Sequence, residues 1–334
     1  MNTDGVKRGR QVIESALVVH SGALGDTILM LSLVRALREA GIPRVSVLNR
    51  GCYHPLLKMC PDVAECHDID TGGFHAIFSA DATIPDRIIA MLGQFDLIIN
   101  MLADSAGVAR NRIVSIGVPY VVDINPIPRS SMDRHITRQW LDDLRQALQP
   151  KVLKVSGASP QPRLSFTSQS AEAIGVSEFP DSATTFFQAH PILRPNLFAV
   201  LHPGSGSRAK CWPLENFISL AKSFNDAKRP CAFLLGPVEQ EQMAGEQIVS
   251  LEGAAPVFRC DDLLQLAEFL SKAHTIVSND SGIAHLAAAL DRPVVVIFGP
   301  TAPRRWRPLG SRVTVMSTPL DWPTTDAVVE AVIC

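Results

Sequence analysis

The chain lacks an excess of either charge. Its 334 residues carry 31 Lys and Arg against 33 Asp and Glu, so no overall basic field points to nucleic acid. No apolar run approaches the roughly 18 residues of a membrane span. The opening "MNTDGVKRGRQVIESALVVHSG" has neither the long apolar stretch nor the small-residue cleavage pattern of a secretory leader, and none is expected. The cysteines are odd in number, seven, and Cys52, Cys60 and Cys66 lack C-x-x-C spacing. They are expected as free thiols in a reducing cytosol, not as a disulfide frame or a zinc site. A Gly-Lys-Ser/Thr P-loop is also missing.

What is present is apolar material for two cores, 46% of the residues. Short Val/Ile/Leu runs alternate with helical patterns. "ALVVH" (16–20), "RVSVL" (44–48), "DLIINML" (96–102) and "YVVDI" (120–124) form one set. "LFAVLHP" (197–203), "CAFLLG" (231–236), "HTIVSN" (274–279), "PVVVIFG" (293–299) and "RVTVM" (312–316) form a second. None alternates with period two, as expected of parallel strands buried on both faces. The pattern predicts an α/β protein of two Rossmann-like, doubly wound domains, residues 1–185 and 186–334. The last helix, about 324–333, is left free to pack on either domain.

In such sheets ligands bind beyond the carboxyl ends of the strands. "NDSGIAHLAAAL" falls there. Gly282 permits close approach of a ligand, and the first helical turn offers free N–H groups to an anion. Ser281 and His285 stand four residues apart on one helix face. Gly299-Pro300-Thr301 is a further polar turn at the same rim. Taken singly, Asp280 or Ser281 is a helix cap and His285 a packed core histidine; together they predict an anion site. The loop "HPGSGSRAK", with Lys210 closing it, suits a diphosphate. It also matches the G-x-G-x-x-A dinucleotide pattern at Gly204, Gly206 and Ala209, but Pro213 keeps those glycines from opening the next helix. On the first domain, Asp26 follows Gly22 and Gly25. It is either the N-cap of its helix or a carboxylate facing the anion site as a general base.

These segments resemble glycosyltransferase family 9, the bacterial heptosyltransferases of lipopolysaccharide core synthesis. "SGALGDTILMLSLVRALREA", "LHPGSGSRAKCWPLENFISLA" and "NDSGIAHLAAALDRPVVVIFGPTAP" carry the resemblance, in the family's order. It implies a GT-B fold, two Rossmann-like domains facing a central cleft. It further implies an inverting, metal-independent transfer with no cofactor, since the nucleotide-sugar donor, usually ADP-heptose, is a substrate. By position, Asp26 resembles the catalytic base and Lys210 the donor-phosphate lysine. Asp280, Ser281, Gly282 and His285 resemble the phosphate and sugar clamp. Ser205 matches a donor-loop hydroxyl and Glu239 the ribose-binding glutamate. Asn100 and Met101 depart from the family, in a region that faces the acceptor.

The expected acceptor is a glycolipid or glycan of the lipopolysaccharide core, bound by the first domain with Arg110 and Arg112 as candidate contacts. A cytoplasmic protein follows, with peripheral contact to the inner membrane surface. Asp104 is the reserve candidate for the base. Competing readings are a nucleotide-sugar 2-epimerase of the same fold, a non-catalytic nucleotide-sugar-binding protein, and an NAD-dependent enzyme using the Gly204 loop.

Overall fold

A computed structural model describes residues 12–104, 106–129, 133–155, 160–165, 182–299, 301–318 and 321–333. The first sheet holds β1 (Ser15–Val19), β2 (Arg44–Asn49), β3 (Cys66–Asp68), β4 (Leu97–Asn100) and β5 (Tyr120–Asp123) in the order β3-β2-β1-β4-β5. The second holds β6 (Ala199–His202), β7 (Cys231–Leu235), β8 (Val257–Arg259), β9 (Thr275–Asn279), β10 (Val294–Phe298) and β11 (Val313–Ser317) in the order β11-β10-β9-β6-β7-β8. All pairings are parallel. The two-domain, doubly wound α/β expectation is met. The nine apolar runs are strands, each within one or two residues of its expected bounds.

The two unexpected strands, β3 and β8, are three-residue sheet edges, Cys-His-Asp and Val-Phe-Arg. Three residues are too few to leave an apolar run to read. The final helix, Thr325–Ile333, packs on the second domain. Its Val328 is buried with Trp212, Phe217 and Leu220. The division at residue 185 passes through the helix Ser182–Ala189. Phe186 of that helix packs on Phe258 and Phe269, and Phe187 on Phe198 and Phe269. The aromatic contacts therefore tie this helix to the second sheet.

Strand order reverses at β1/β4 in one sheet and at β6/β9 in the other, and the loops leaving these strands face one another. The helix Leu24–Glu39 after β1 and the helix Gly282–Ala289 after β9 belong to one buried cluster, which joins Ile28, Leu31 and Leu33 to Ala284, Ala287 and Ala288. The domains thus share a core beside the cleft. The contact is close: a Cβ on Gly282 would lie 3.0 Å from Leu24 Cβ and 3.2 Å from the Gly25 nitrogen.

Candidate active site

The loop after β6 is fastened to the loop after β9. Asn279, fully buried, donates from Nδ2 to the carbonyls of Pro203 (2.8 Å) and Gly204 (3.2 Å) and accepts from the Trp212 N–H (2.9 Å). Ser205 Oγ donates to the Asp280 carbonyl at 2.7 Å. These bonds hold the two motifs as one surface. On it, Lys210 Nζ lies 3.0 Å from Asp280 Oδ2, which also accepts from Thr301 Oγ1 at 2.8 Å. Pro300, beside it, lies outside the described residues.

Asp280 and Ser281 do not cap the helix that follows. Ser281 holds the N-cap position without a capping bond, and its hydroxyl pairs with Ser278 Oγ at 2.9 Å. Elsewhere the chain caps helices in the ordinary way. Asp262 Oδ1 accepts from the N–H groups of Leu264 and Gln265, and Asp104 accepts from Val108 and Ala109. The first-turn N–H groups at Gly282 are therefore left for something else.

Asp26 is not the N-cap of its helix either. Ala23 occupies that position, and Asp26 sits in the first turn, half-buried. Burial holds its carboxyl above the usual value, against the pull of the Ala23 N–H and of Lys210 across the cleft. His285 is buried, its Nδ1 has no hydrogen-bond partner, and burial pushes its pKa down to about 4. The ring is a neutral group near pH 7, not a cation.

Four cavities follow one another along the cleft. The first, about 330 Å3, has mostly apolar walls that include Leu234, Val238 and Leu266, with Glu239 among them. The second, about 250 Å3, brings together Asp26, Ser205, Lys210, Asp280, Ser281, Gly282 and His285. It opens into the first along Gly25, Ser205 and Gly282. The third, about 280 Å3, lies on the first domain and shares Asp26 and Trp306 with the second. The fourth, about 660 Å3, adjoins the third at Ser21 and Ala103 and carries Arg50, Asp70 and His75.

Glu239 is buried and accepts from the Gly236 N–H at 2.9 Å. Burial pushes its pKa up, but His202, 3.7 Å away, and nearby backbone N–H groups outweigh that and hold it below the usual range. It is a carboxylate facing the apolar cavity.

One matching sequence profile, glycosyltransferase family 9 (heptosyltransferase), covers residues 94–330. The chain belongs to glycosyltransferase family 9. Among curated relatives, lipopolysaccharide heptosyltransferase 2 of Escherichia coli (strain K12) is 32% identical over 114 residues, 32% of this chain and 32% of that protein. Lipopolysaccharide heptosyltransferase 1 of Pseudomonas aeruginosa is 35% identical over 94 residues, 28% of this chain and 26% of that protein. The alignment thus spans about a third of the curated relatives' length. The fold likeness is wider. The ADP-heptose lipopolysaccharide heptosyltransferase II of E. coli superposes with a TM-score of 0.66 at 18% identity, covering 90% of each chain. A family 9 glycosyltransferase from Veillonella parvula gives 0.68 at 18% identity, covering 96% of this chain and 92% of that one. The fold is GT-B.

The structure places three of the expected residues away from Asp26. Arg110 is engaged by the Val121 carbonyl and Asp123, and Arg112 by the carbonyls of Ala80 and Ala82. Neither lines the cavities beside Asp26, because both guanidinium groups brace their own domain. Asp104 accepts from the Val108 and Ala109 N–H groups and lines the fourth cavity, not the two that share Asp26. Reading the sequence missed His20, Arg50, His75, Trp140 and Trp306. His20 alone gave a signal, as a polar residue ending the apolar run "ALVVH".

Proposed function

We propose that this chain is an inverting, metal-independent glycosyltransferase. It moves a sugar, heptose from ADP-heptose, to a glycan of the lipopolysaccharide core. The supporting observation is the position of Asp26, on the wall shared by a cavity built for an anion and a cavity on the first domain. The nucleoside lies in the apolar cavity with Glu239 on its ribose. The diphosphate lies against Lys210, Ser205, Ser281 and the N–H groups at Gly282. His285 contributes a neutral N–H donor.

The reaction is one in-line displacement. The acceptor hydroxyl gives its proton to Asp26 as its oxygen bonds the anomeric carbon, while the bond from that carbon to the diphosphate breaks. Lys210 and the helix end meet the charge that develops on the leaving group. Burial raises the basicity of Asp26, and Lys210 keeps it ionised. Anionic groups farther along the acceptor fall in the fourth cavity, where no described residue pairs with the Arg50 guanidinium. The protein works in the cytoplasm, at the inner membrane surface where such acceptors are made. Among the described residues, no helix is long and apolar enough to cross a membrane.

The test is transfer from ADP-heptose to a core oligosaccharide, with the anomeric configuration of the product read by NMR. The expected product has the configuration opposite to the donor's. Retained configuration would refute the single displacement. Release of UDP from UDP-GlcNAc alone, with no transfer, would favour the 2-epimerase reading.

A further inference from the structure

A line of buried polar groups runs beneath the second-domain wall and joins the first cavity to the second. His202, the last residue of β6, is 3% exposed and lines the first cavity beside Glu239. Its Nε2 lies 3.7 Å from Glu239 Oε2. Its Nδ1 lies 3.2 Å from the hydroxyl of Ser278, its register partner on β9. Ser278 is fully buried, and its Oγ lies 2.9 Å from Ser281 Oγ. Ser281 in turn lines both cavities. Glu239, His202, Ser278 and Ser281 therefore connect the carboxylate assigned to the ribose with the hydroxyl assigned to the diphosphate.

The direction of this line matters, because each hydroxyl has a single proton to give. An imidazole with one proton carries it on Nε2 or on Nδ1 and accepts at the other nitrogen. The Glu239 carboxylate favours the proton on Nε2, which faces it. Nδ1 then accepts from Ser278, and Ser278 accepts from Ser281. In that arrangement the Ser281 proton points inward, away from the second cavity. A phosphate oxygen needs the reverse: it accepts, so Ser281 must donate outward. Ser278 then gives its proton to Ser281 Oγ or to the Asn279 carbonyl, 3.1 Å away, and takes a bond from Nδ1–H. At the other end, one hydroxyl of the ribose diol donates to Glu239 and its neighbour reaches Nε2, which accepts only when the ring proton is on Nδ1. Both ends of a nucleotide thus favour the same tautomer, and the unliganded protein favours the other.

We propose that His202 is a tautomeric relay: binding of a nucleoside diphosphate moves the ring proton from Nε2 to Nδ1, and this couples ribose recognition to phosphate recognition. The ring and both hydroxyls hold one proton each before and after, exchanged through water. The cost of reversing the line falls once, so a ribose hydroxyl and a phosphate bind more tightly together than separately. The relay rests on the reading of this wall as the donor site. It adds a selectivity: a nucleoside or a phosphate alone meets a line turned the wrong way.

The experiment is 1H–15N correlation NMR on protein labelled at histidine, in which the two ring nitrogens reveal which one carries the proton. His202→Gln identifies the His202 signals. The free protein should carry the proton on Nε2 and the ADP complex on Nδ1. Calorimetry reads the coupling. Removing both ribose hydroxyls, as in 2′,3′-dideoxy-ADP, should cost ADP roughly tenfold more affinity than the same removal costs adenosine. Ser278→Ala cuts the line without lining either cavity and should bring the two costs within about twofold of each other. An ADP complex with the proton still on Nε2, a ring protonated on both nitrogens, or an undiminished difference in Ser278→Ala would each overturn the proposal. The tautomer is read in the wild-type chain, so it decides the matter even where Ser278→Ala fails to fold. ADP that fails to bind would overturn the donor reading and the relay with it, whereas ADP that binds without moving the proton overturns the relay alone.

Discussion

The two walls of the cleft solve opposite problems. The second-domain wall is charged and cross-linked: Lys210 to Asp280, Thr301 to Asp280, Ser205 to the Asp280 carbonyl, Asn279 to the Gly204 loop. These bonds fix the two loops against each other, while His285 Nδ1 and the first-turn N–H groups at Gly282 stay unpaired. For the diphosphate of the proposed donor this would be a preformed set, which limits the entropy lost on binding. On the first-domain wall Asp26 is the charged residue of the third cavity among the described residues, and Arg50 and Asp70 follow in the fourth, without such cross-links between the two. One wall is charged and cross-linked, and the other is not cross-linked in this way. A transfer enzyme benefits from this asymmetry, because the donor must be gripped firmly while the acceptor is selected.

The strongest way to break this contrast is Asp26→Asn. Asn keeps the shape but cannot take the proton. Single-turnover transfer should fall about 10²–10⁴-fold, while calorimetry shows nearly normal ADP affinity. Transfer that survives would leave Asp26 without the role of base. In the wild type, transfer should decline as the pH falls, with a midpoint above the ordinary carboxylate value, because burial raises Asp26.

Lys210→Ala comes next and tests the charged wall. It should weaken ADP binding roughly ten- to a hundredfold, the range of an ionic hydrogen bond, and shift the melting temperature little. Unchanged affinity would remove Lys210 from the diphosphate. Ser281→Ala combined with His285→Ala should cost less than the sum of the singles, since both serve one anion. Strict additivity would show that they do not share it.

The neutral histidines supply a stability test. His20 and His285 have folded values of about 4 against 6.5 for the free ring. The unfolded chain therefore takes up these protons first as the pH falls. Stability associated with the neutral rings is full above pH 6.5 and is lost between about 6.5 and 4, at about 1.4 kcal/mol per pKa unit for each ring. Urea midpoints at pH 7.5 and 5 measure this. His20→Gln with His285→Gln should flatten the difference, and an unchanged slope would show that other groups cause it.

The smallest effect expected is on the braces of the first domain. The Arg110–Asp123 pair is half-exposed on both sides, and such pairs contribute about 0–1 kcal/mol. Arg110→Glu should lower the melting temperature slightly and leave the acceptor Michaelis constant alone, whereas Arg50→Ala should do the reverse for an anionic acceptor. A raised acceptor constant in Arg110→Glu would favour the arginine patch as an acceptor contact.

Legibility in the sequence follows the same division. The charged wall is built from two short contiguous stretches at the ends of β6 and β9. Ser205, Lys210, Asp280, Ser281, Gly282 and His285 could be read from spacing and strand position. The third cavity is assembled from residues 20–22, 26, 101, 103, 126–128, 140 and 306, which no local pattern links. Trp140 sits in a helix that buries Ile136, Leu141 and Leu144 as well. Arg110 and Arg112 show the converse, since a basic cluster in sequence says nothing of which carbonyls will engage it.

Glu239 rests directly over Gly204. A methyl group on that glycine would stand 1.8 Å from the carboxylate oxygen and 2.5 Å from Cγ, so the whole side chain would have to swing away. The loop after β6 and the turn after β7 are therefore not free to drift separately over generations. Any mutation that gives position 204 a side chain also evicts Glu239, thirty-odd residues downstream, without altering its codon. Lineages that exchange this glutamate for something smaller would gain latitude at 204, and the order of those two changes is constrained.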